Sequence, residues 1–270
     1  MPRLTPYREH RPHPGLARYV ACYWSFRCRA TPPTDEEAIV PDACMDFLFD
    51  LAAPGQGEVE VVGTMTRPIA VSRERGMDLL GVRFRPGGIG AFVRVPAHEL
   101  TDGLVGLEAV WGPDARDLND RLRAEPGTAE RVAILDRALS ARLGAGAPPD
   151  PIALAAAGLV ESSEGRIRVD DLARQAGLGP RQLERRFLAA VGIAPKVACR
   201  VVRFQAALHR LQASDEPTLA RVAIEAGYHD QAHLTRDFTA LAGMPPGKYR
   251  ARRRDATDDA SLQDGAAGGL

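Results

Sequence analysis

Apolar positions alternate with outward ones over residues 20–28, placing Val20, Cys22, Trp24, Phe26 and Cys28 on one face. The same period of two runs through Met45, Phe47, Phe49 and Leu51, against Asp46 and Asp50. Successive side chains of a strand point to opposite faces, so this alternation predicts half-buried strands. Residues 58–62, 69–72 and 77–84 are shorter candidates, separated by Gly and Pro. From Pro113 onward the period lengthens. Leu118 and Leu122 lie one helical turn apart; Val132, Leu135, Leu139 and Leu143 recur every three to four residues, with Thr128 placed as the N-cap. The first half therefore reads as a β-rich unit followed by two helices.

Residues 144–151, Gly-Ala-Gly-Ala-Pro-Pro-Asp-Pro, have no period and the composition of a linker. A second break follows Arg254, where Asp, Ala, Gly and Ser take over without an apolar face. The expected organisation is residues 1–146 as a β-rich sensor or dimerisation domain ending in helices, 152–254 as a helical domain, and 255–270 as a disordered acidic tail. The fold class is α+β.

Beyond the linker every apolar pattern is helical, and it repeats. Ala173, Ala176 and Gly177 match Ala223, Ala226 and Gly227. Leu183, Arg185, Phe187, Gly192 and Pro195 match Leu234, Arg236, Phe238, Gly243 and Pro246 after one inserted residue. Two copies are too few for a solenoid, so a duplicated supersecondary unit fits better. In each copy a short helix ends at a Gly suited to positive φ. Pro180 suits the first turn of the next helix in the first copy. Leu183 and Phe187 then face inward. This pattern predicts a helix-turn-helix, whose second helix can lie in the major groove. The second helices are placed at about residues 180–190 and 229–241. Residues 195–213 read as one helix, roughly 28 Å long at ~1.5 Å per residue. A rod of that length can hold two recognition helices about one DNA turn, ~34 Å, apart.

Charge supports a polyanion partner. The 270-residue chain carries 35 Lys and Arg against 35 Asp and Glu. Residues 166–254 alone hold 17 basic against 8 acidic side chains, a net of +9. On charge alone that block fits a solvated basic face as well as nucleic acid. The duplicated units favour double-stranded DNA. Arg200, Arg203 and Arg210 on the long helix are expected to add to the positive field.

The strings LARQAGLGPRQLERRF, VGIAPKVACRVVRFQAALHRL and IEAGYHDQAHLTRDFTALAGMPPGKYR carry a specific resemblance. Residues 152–254 resemble the C-terminal DNA-binding domain of the AraC/XylS family of bacterial transcription regulators. The resemblance implies that Arg181, Gln182, Glu184 and Arg185 read one major groove, and that Gln231, Ala232, His233 and Arg236 read the next. The chemistry agrees: Arg pairs with guanine, Gln with adenine, and Glu accepts from cytosine. Ala232 departs from the polar residue often found there, and its methyl can meet thymine. The strings YVACYWSF, IVPDACMDFLFDL and GVRFRPGG make the first half similar to an uncharacterised N-terminal domain found on some members. The family implies that such a domain senses a small-molecule effector, forms a homodimer, or both, and that RNA polymerase is a further partner.

In the first half, Arg83 and Arg85 share a strand face before a Gly-rich turn and can hold a small anion, with Asp42 as a candidate ion-pair partner. Trp24 and Tyr23 can line an apolar pocket. A structural salt bridge and plain core packing are the alternative readings. No metal and no cofactor is expected. His229 and His233 have helical zinc spacing but no third ligand nearby, and Cys22, Cys28, Cys44 and Cys199 lack zinc pairing. No P-loop, nucleophile elbow or dinucleotide fingerprint occurs, so an enzyme is not expected. The alternative is a DNA-delivered enzyme or repair protein with its chemistry in the N-terminal half. The longest apolar run, residues 152–160, is too short for a membrane span. The polar, Pro-rich start points to a cytoplasmic protein.

Overall fold

The computed structural model describes residues 7–28, 37–53, 59–71, 76–143, 149–213 and 218–252. It has an α+β fold, with a β-rich N-terminal part and a helical C-terminal part. Strands β1 (Arg8–His10), β2 (Val20–Cys28), β4 (Met45–Asp50), β5 (Val59–Val62), β7 (Met77–Phe84) and β8 (Leu104–Gly106) form a six-stranded sheet. Its order is β1-β2-β7-β4-β5-β8, and every pairing is antiparallel. Strands β3 (Glu37–Ile39) and β6 (Ile69–Val71) make a separate two-stranded ribbon.

The inner face of the sheet follows the alternation of the sequence. Met45, Phe47 and Phe49 of β4, Val59 and Val61 of β5, and Leu80, Val82 and Phe84 of β7 are buried. They pack on a 3-10 turn at Gly88–Ala91 and on helices α1 (Leu107–Trp111), α2 (Asp114–Ala124) and α3 (Thr128–Arg142). Phe47 meets Phe84 edge-on at 4.6 Å and Trp111 at 5.2 Å between ring centroids. The buried Trp111 indole donates to the Phe92 carbonyl at 2.9 Å, so its polar group is satisfied.

Strand β2 corrects one expectation. Its register against β7 slips between Val20 and Cys22. This bulge turns the rest of the strand over, because one extra residue exchanges its faces. Val20 and Tyr23 are therefore the fully buried pair, while Trp24 lies on the opposite face. Two further differences concern the helices. A short α1 precedes the two expected ones, and Thr128 is the first residue of α3 rather than its cap, which is Gly127.

The C-terminal helices are α4 (Pro151–Ser162), α5 (Val169–Gln175), α6 (Pro180–Val191), α7 (Pro195–Ala213), α8 (Leu219–Glu225) and α9 (Gln231–Ala242). Asp150 caps α4 by accepting from the Ile152 and Ala153 amides. The second core gathers Leu183 and Phe187 of α6, Phe204 and Leu208 of α7, and Leu234 and Phe238 of α9. Ala43, from the turn before β4, is buried in this second core. Residues 144–148 of the expected linker and the expected acidic tail at 255–270 lie outside the described residues.

Candidate nucleic-acid interface

The two helix pairs α5–α6 and α8–α9 are built alike. Helix α5 ends at Gly177, φ 64°, and α8 at Gly227, φ 79°. In the first copy the Gly177 amide donates to Arg174 and the Leu178 amide to Ala173. In the second, Gly227 donates to Ile224 and Tyr228 to Ala223. Both are the paired bonds of a Schellman turn, which needs a left-handed residue that Gly supplies without strain. The starts of the second helices differ. Pro180 opens α6, whereas Asp230 caps α9 by accepting from the His233 amide at 2.6 Å. The residue inserted in the second copy thus makes room for a side-chain cap. The His233 amide and the His229 ring hold the Asp230 carboxyl below its ordinary range.

The periodicity then sorts each second helix into two faces. Leu183, Phe187 and Val191 of α6 are buried, as are Leu234, Phe238 and Leu241 of α9. Arg181, Gln182, Glu184 and Arg185 are exposed on α6, and Gln231, Ala232 and Arg236 on α9. His233 is half-buried. Its ring meets Tyr228 edge-on at 5.1 Å, and its Nε2 lies 3.9 Å from Asp237. The Thr235 hydroxyl is turned back onto the Gln231 carbonyl.

The arginines of α7 do different work from that expected. Arg200 pairs with Asp237 of α9 at 2.9 Å. Arg203 donates to the Gly165 carbonyl and lies over the Tyr228 ring. Arg210 pairs with Glu164 at 2.6 Å. These guanidinium groups brace the helices on one another; sequence reveals their charge but not their partners.

The N-terminal part docks on the carbonyl end of α6. Thr64 is fully buried, and its hydroxyl donates to the Val191 carbonyl at 2.7 Å. The Thr101 hydroxyl donates to the Gly192 carbonyl at 2.6 Å. These bonds satisfy carbonyls that a helix end leaves open. Nothing in the sequence pattern announced them, since each joins a loop threonine to a helix about a hundred residues away. Thr64→Val will remove one bond while keeping the shape, at a cost of about 1–3 kcal/mol. Urea unfolding of the full chain measures it; Thr64→Ser, which keeps the hydroxyl, will lose less.

The expected anion site is rearranged. Arg83 lies 3.2 Å from both Asp42 and Asp46, and Asp46 also accepts from the Trp24 indole at 3.2 Å. Trp24 and Tyr7 stack with centroids 6.0 Å apart. A side chain at Gly81 would collide with the indole, so Gly81 is what lets Trp24 lie across β7. Burial pushes the Asp46 carboxyl up against the pull of Arg83. Arg85 does not join this group. It follows the end of β7 and donates to the Ala17 carbonyl at 3.0 Å. Arg83 and Arg85 thus form no common anion cradle, because two carboxylates already compensate the first. Asp46, which completes the cluster, was missed at the sequence level although it stands opposite Arg83 in the β4–β7 register.

Burial pushes the Cys22 thiol up to about 11 and also raises Cys44 and Cys199. That direction is opposite to the thiolate character of a reactive cysteine. Among the described residues no three His, Cys, Asp or Glu side chains gather as metal ligands, and no helix is long and apolar enough to cross a membrane.

Residues 172–252 match a family described as a helix-turn-helix domain, and residues 8–106 match a domain of unknown function, DUF6597. A Streptomyces lividans protein described as an AraC-like transcription regulator is 37% identical over 82 residues. That stretch is 30% of this chain and 27% of the relative, so the chain matches about a quarter of the relative's length. Among solved structures, the DNA-binding domain of AdpA, a global transcriptional factor, in complex with a target DNA is 30% identical. The match covers 40% of this chain and 96% of that one, with a TM-score of 0.36. ToxT from Vibrio cholerae is 8% identical, with 91% of this chain and 98% of that one covered and a TM-score of 0.46. The chain carries an AraC-type helix-turn-helix domain at residues 172–252, preceded by a domain of unknown function at residues 8–106.

Proposed function

We propose that the chain is a sequence-specific, DNA-binding transcription regulator that places α6 and α9 in adjacent major grooves. The observation that carries this reading is the repeated construction. Each second helix is held from beneath by Leu and Phe and presents a row of polar side chains outward. Arg181, Gln182, Glu184 and Arg185 serve the first groove, and Gln231, Ala232, His233 and Arg236 the second. The tied-back hydroxyl of Thr235 keeps it out of that row. The basic balance of residues 166–254 supplies the sequence-independent attraction to phosphate. The described likeness to an AraC-like regulator agrees with this role.

In this reading the N-terminal domain is the sensing or dimerising half, the protein works in the cytoplasm, and RNA polymerase is its downstream partner. We read it as a regulator rather than an enzyme, and the raised thiols of Cys22, Cys44 and Cys199 argue against a thiolate nucleophile at those positions. The buried Thr64 bond and the half-buried Thr101 bond connect this half to the C-terminal end of the first recognition helix.

The test is selection from the host genome. Purified full-length protein is mixed with fragmented host DNA, and bound fragments are sequenced at two salt concentrations. A few enriched sites sharing two blocks about one helical turn apart are expected. Diffuse binding that disappears at higher salt would reduce the interaction to phosphate contact and overturn the reading.

A further inference from the structure

The segment between β5 and β6 touches both second helices at their carbonyl ends. Thr64 bonds the Val191 carbonyl at the end of α6. Pro68 lies against Gly243, the residue that ends α9: a Cβ on Gly243 would stand 3.7 Å from Pro68 Cγ. The span between the two contacts is short. Four residue steps of extended chain reach at most ~14 Å, so the two helix ends cannot part far while both contacts hold. Nor is the segment slack. The Gly63 amide donates to the Gly103 carbonyl at 3.0 Å, and the Asp102 amide donates to the Thr64 carbonyl at 3.1 Å. The Asp102 carboxylate accepts from the Thr66 amide at 2.7 Å and from the Thr66 hydroxyl at 2.5 Å. Residues 63–68 and 101–103 are one hydrogen-bonded frame laid across the ends of α6 and α9.

That frame supplies a tie that the helical half lacks. Among the described residues no hydrogen bond or ion pair joins α6 to α9. Within the helical half they are linked through α7, which α6 precedes by a short turn and on which α9 rests through Phe238 and Asp237. Two helices hung on one rod can swing about it, and a second tie away from the rod removes that freedom. We propose that residues 63–68 are a strut, pinned by Asp102, that sets the separation of α6 and α9. The strut thereby sets the spacing of the two DNA blocks that the chain accepts, a consequence that rests on the two-groove reading above. Thr64, Pro68 and Asp102 are positioning residues, since none lies on the outward row of either helix. Each base pair inserted between the blocks moves the second by about 3.4 Å and turns it by about 35°. A braced pair of helices therefore rejects altered spacing, and a loose pair tolerates it.

Asp102 has φ 55°, a conformation that glycine enters without strain. Asp102→Gly therefore removes the carboxylate that pins Thr66 and leaves the turn its shape. Asp102→Asn keeps an acceptor oxygen and tolerates the same φ. Pro68→Gly releases the other end of the strut. Asp102 is exposed and Pro68 half-buried, so neither change empties a core. In the full chain, ketone-directed spin labels on p-acetylphenylalanine replace Gln182 and Ala240, exposed on α6 and α9. Double electron–electron resonance then reads the helix separation without DNA. The wild type is expected to give one narrow distance distribution. Asp102→Gly and Pro68→Gly should each widen it by about twofold or more, and Asp102→Asn should keep the wild-type width. On DNA, a fragment recovered from the genomic selection is compared with the same fragment carrying two extra base pairs between its blocks. The wild type should bind the altered fragment about 100-fold more weakly, the two glycine variants only about tenfold more weakly, and Asp102→Asn like the wild type. A general loss of stability weakens both duplexes alike and leaves this ratio unchanged, so the ratio separates positioning from mere support. A wild-type width in both glycine variants overturns the strut. A widened distribution with an unchanged ratio overturns its control of DNA spacing. If the selection recovers no fragment, the two-groove reading fails, while the label distances still decide whether the strut holds the helices.

Discussion

Phe238→Ala is expected to cost about 3–5 kcal/mol of stability, the range for emptying a buried aromatic site. Phe238 is 1% exposed and sits on the inner face of α9. Its ring meets Phe204 of α7 edge-on at 5.1 Å and Tyr249 at 5.4 Å. Truncation removes the transfer energy of the ring, both aromatic contacts, and the filling between α7 and α9. Typical domains have about 5–15 kcal/mol in total, so one substitution removes a large share. The loss falls on the second recognition helix, which reaches α7 through this ring and through the Arg200–Asp237 pair. Thermal unfolding followed by far-ultraviolet circular dichroism should show a midpoint lower by more than roughly 10 °C. Ala232→Ser, on the exposed face of the same helix, is the control and should leave the midpoint within about 2 °C. A loss below about 1 kcal/mol would mean that the ring does not fill this core.

The inner positions were legible because burial imposes a period. Strands β2 and β7 and the long helix α7 begin and end where the alternation, the Gly-Pro punctuation and Pro195 place them. Strands β1, β3 and β8 have three residues each, too few to display a period, and they are held by their neighbours in the sheet. The bulge in β2 defeats pattern reading for another reason. Alternation assigns faces only while the register holds, and the slip after Val20 sends Tyr23, not Trp24, into the core. The indole then needs a neighbour with no side chain, and Gly81 is opposite it. A glycine within an apolar strand was the available sign of that close approach.

The candidate interface was readable in its outline and opaque in its connections. Duplication identified the two second helices, and the inserted residue of the second copy acquires a physical reason as the Asp230 cap. Polar contacts between distant segments leave no such trace. Thr64 and Thr101 are ordinary loop residues in sequence, and the carbonyls they bond have no side-chain identity at all. Ion pairs are hidden likewise. The arginines of α7 read as a positive field around the helix, whereas Arg200 and Arg210 pair with Asp237 and Glu164, and Arg203 donates to the Gly165 carbonyl. Arg185 and Arg236, exposed and outside these ion pairs, are seen to keep their guanidinium groups on the outward rows only once the structure has placed the others.

That pair supports the second large expected effect. Arg185 and Arg236 occupy equivalent places in the two copies, each exposed on the outward row of its helix. A guanidinium bonded to guanine O6 and N7 is worth about 1–3 kcal/mol of discrimination. The two residues lie on separate helices assigned to separate grooves, so their losses should add within a few tenths of a kcal/mol. Arg185→Ala with Arg236→Ala is therefore expected to cost about 2–6 kcal/mol on a recovered fragment, roughly 30-fold to above 10⁴-fold. Affinity for random DNA should fall much less, since phosphate attraction is shared among all the basic side chains of residues 166–254. Anisotropy titrations on the fragment and on a shuffled duplex, at one fixed salt concentration, separate the two terms. An equal loss on both duplexes would place the arginines on phosphates and remove them from sequence readout. A loss confined to one single variant would assign specificity to that helix and leave the other as an anchor.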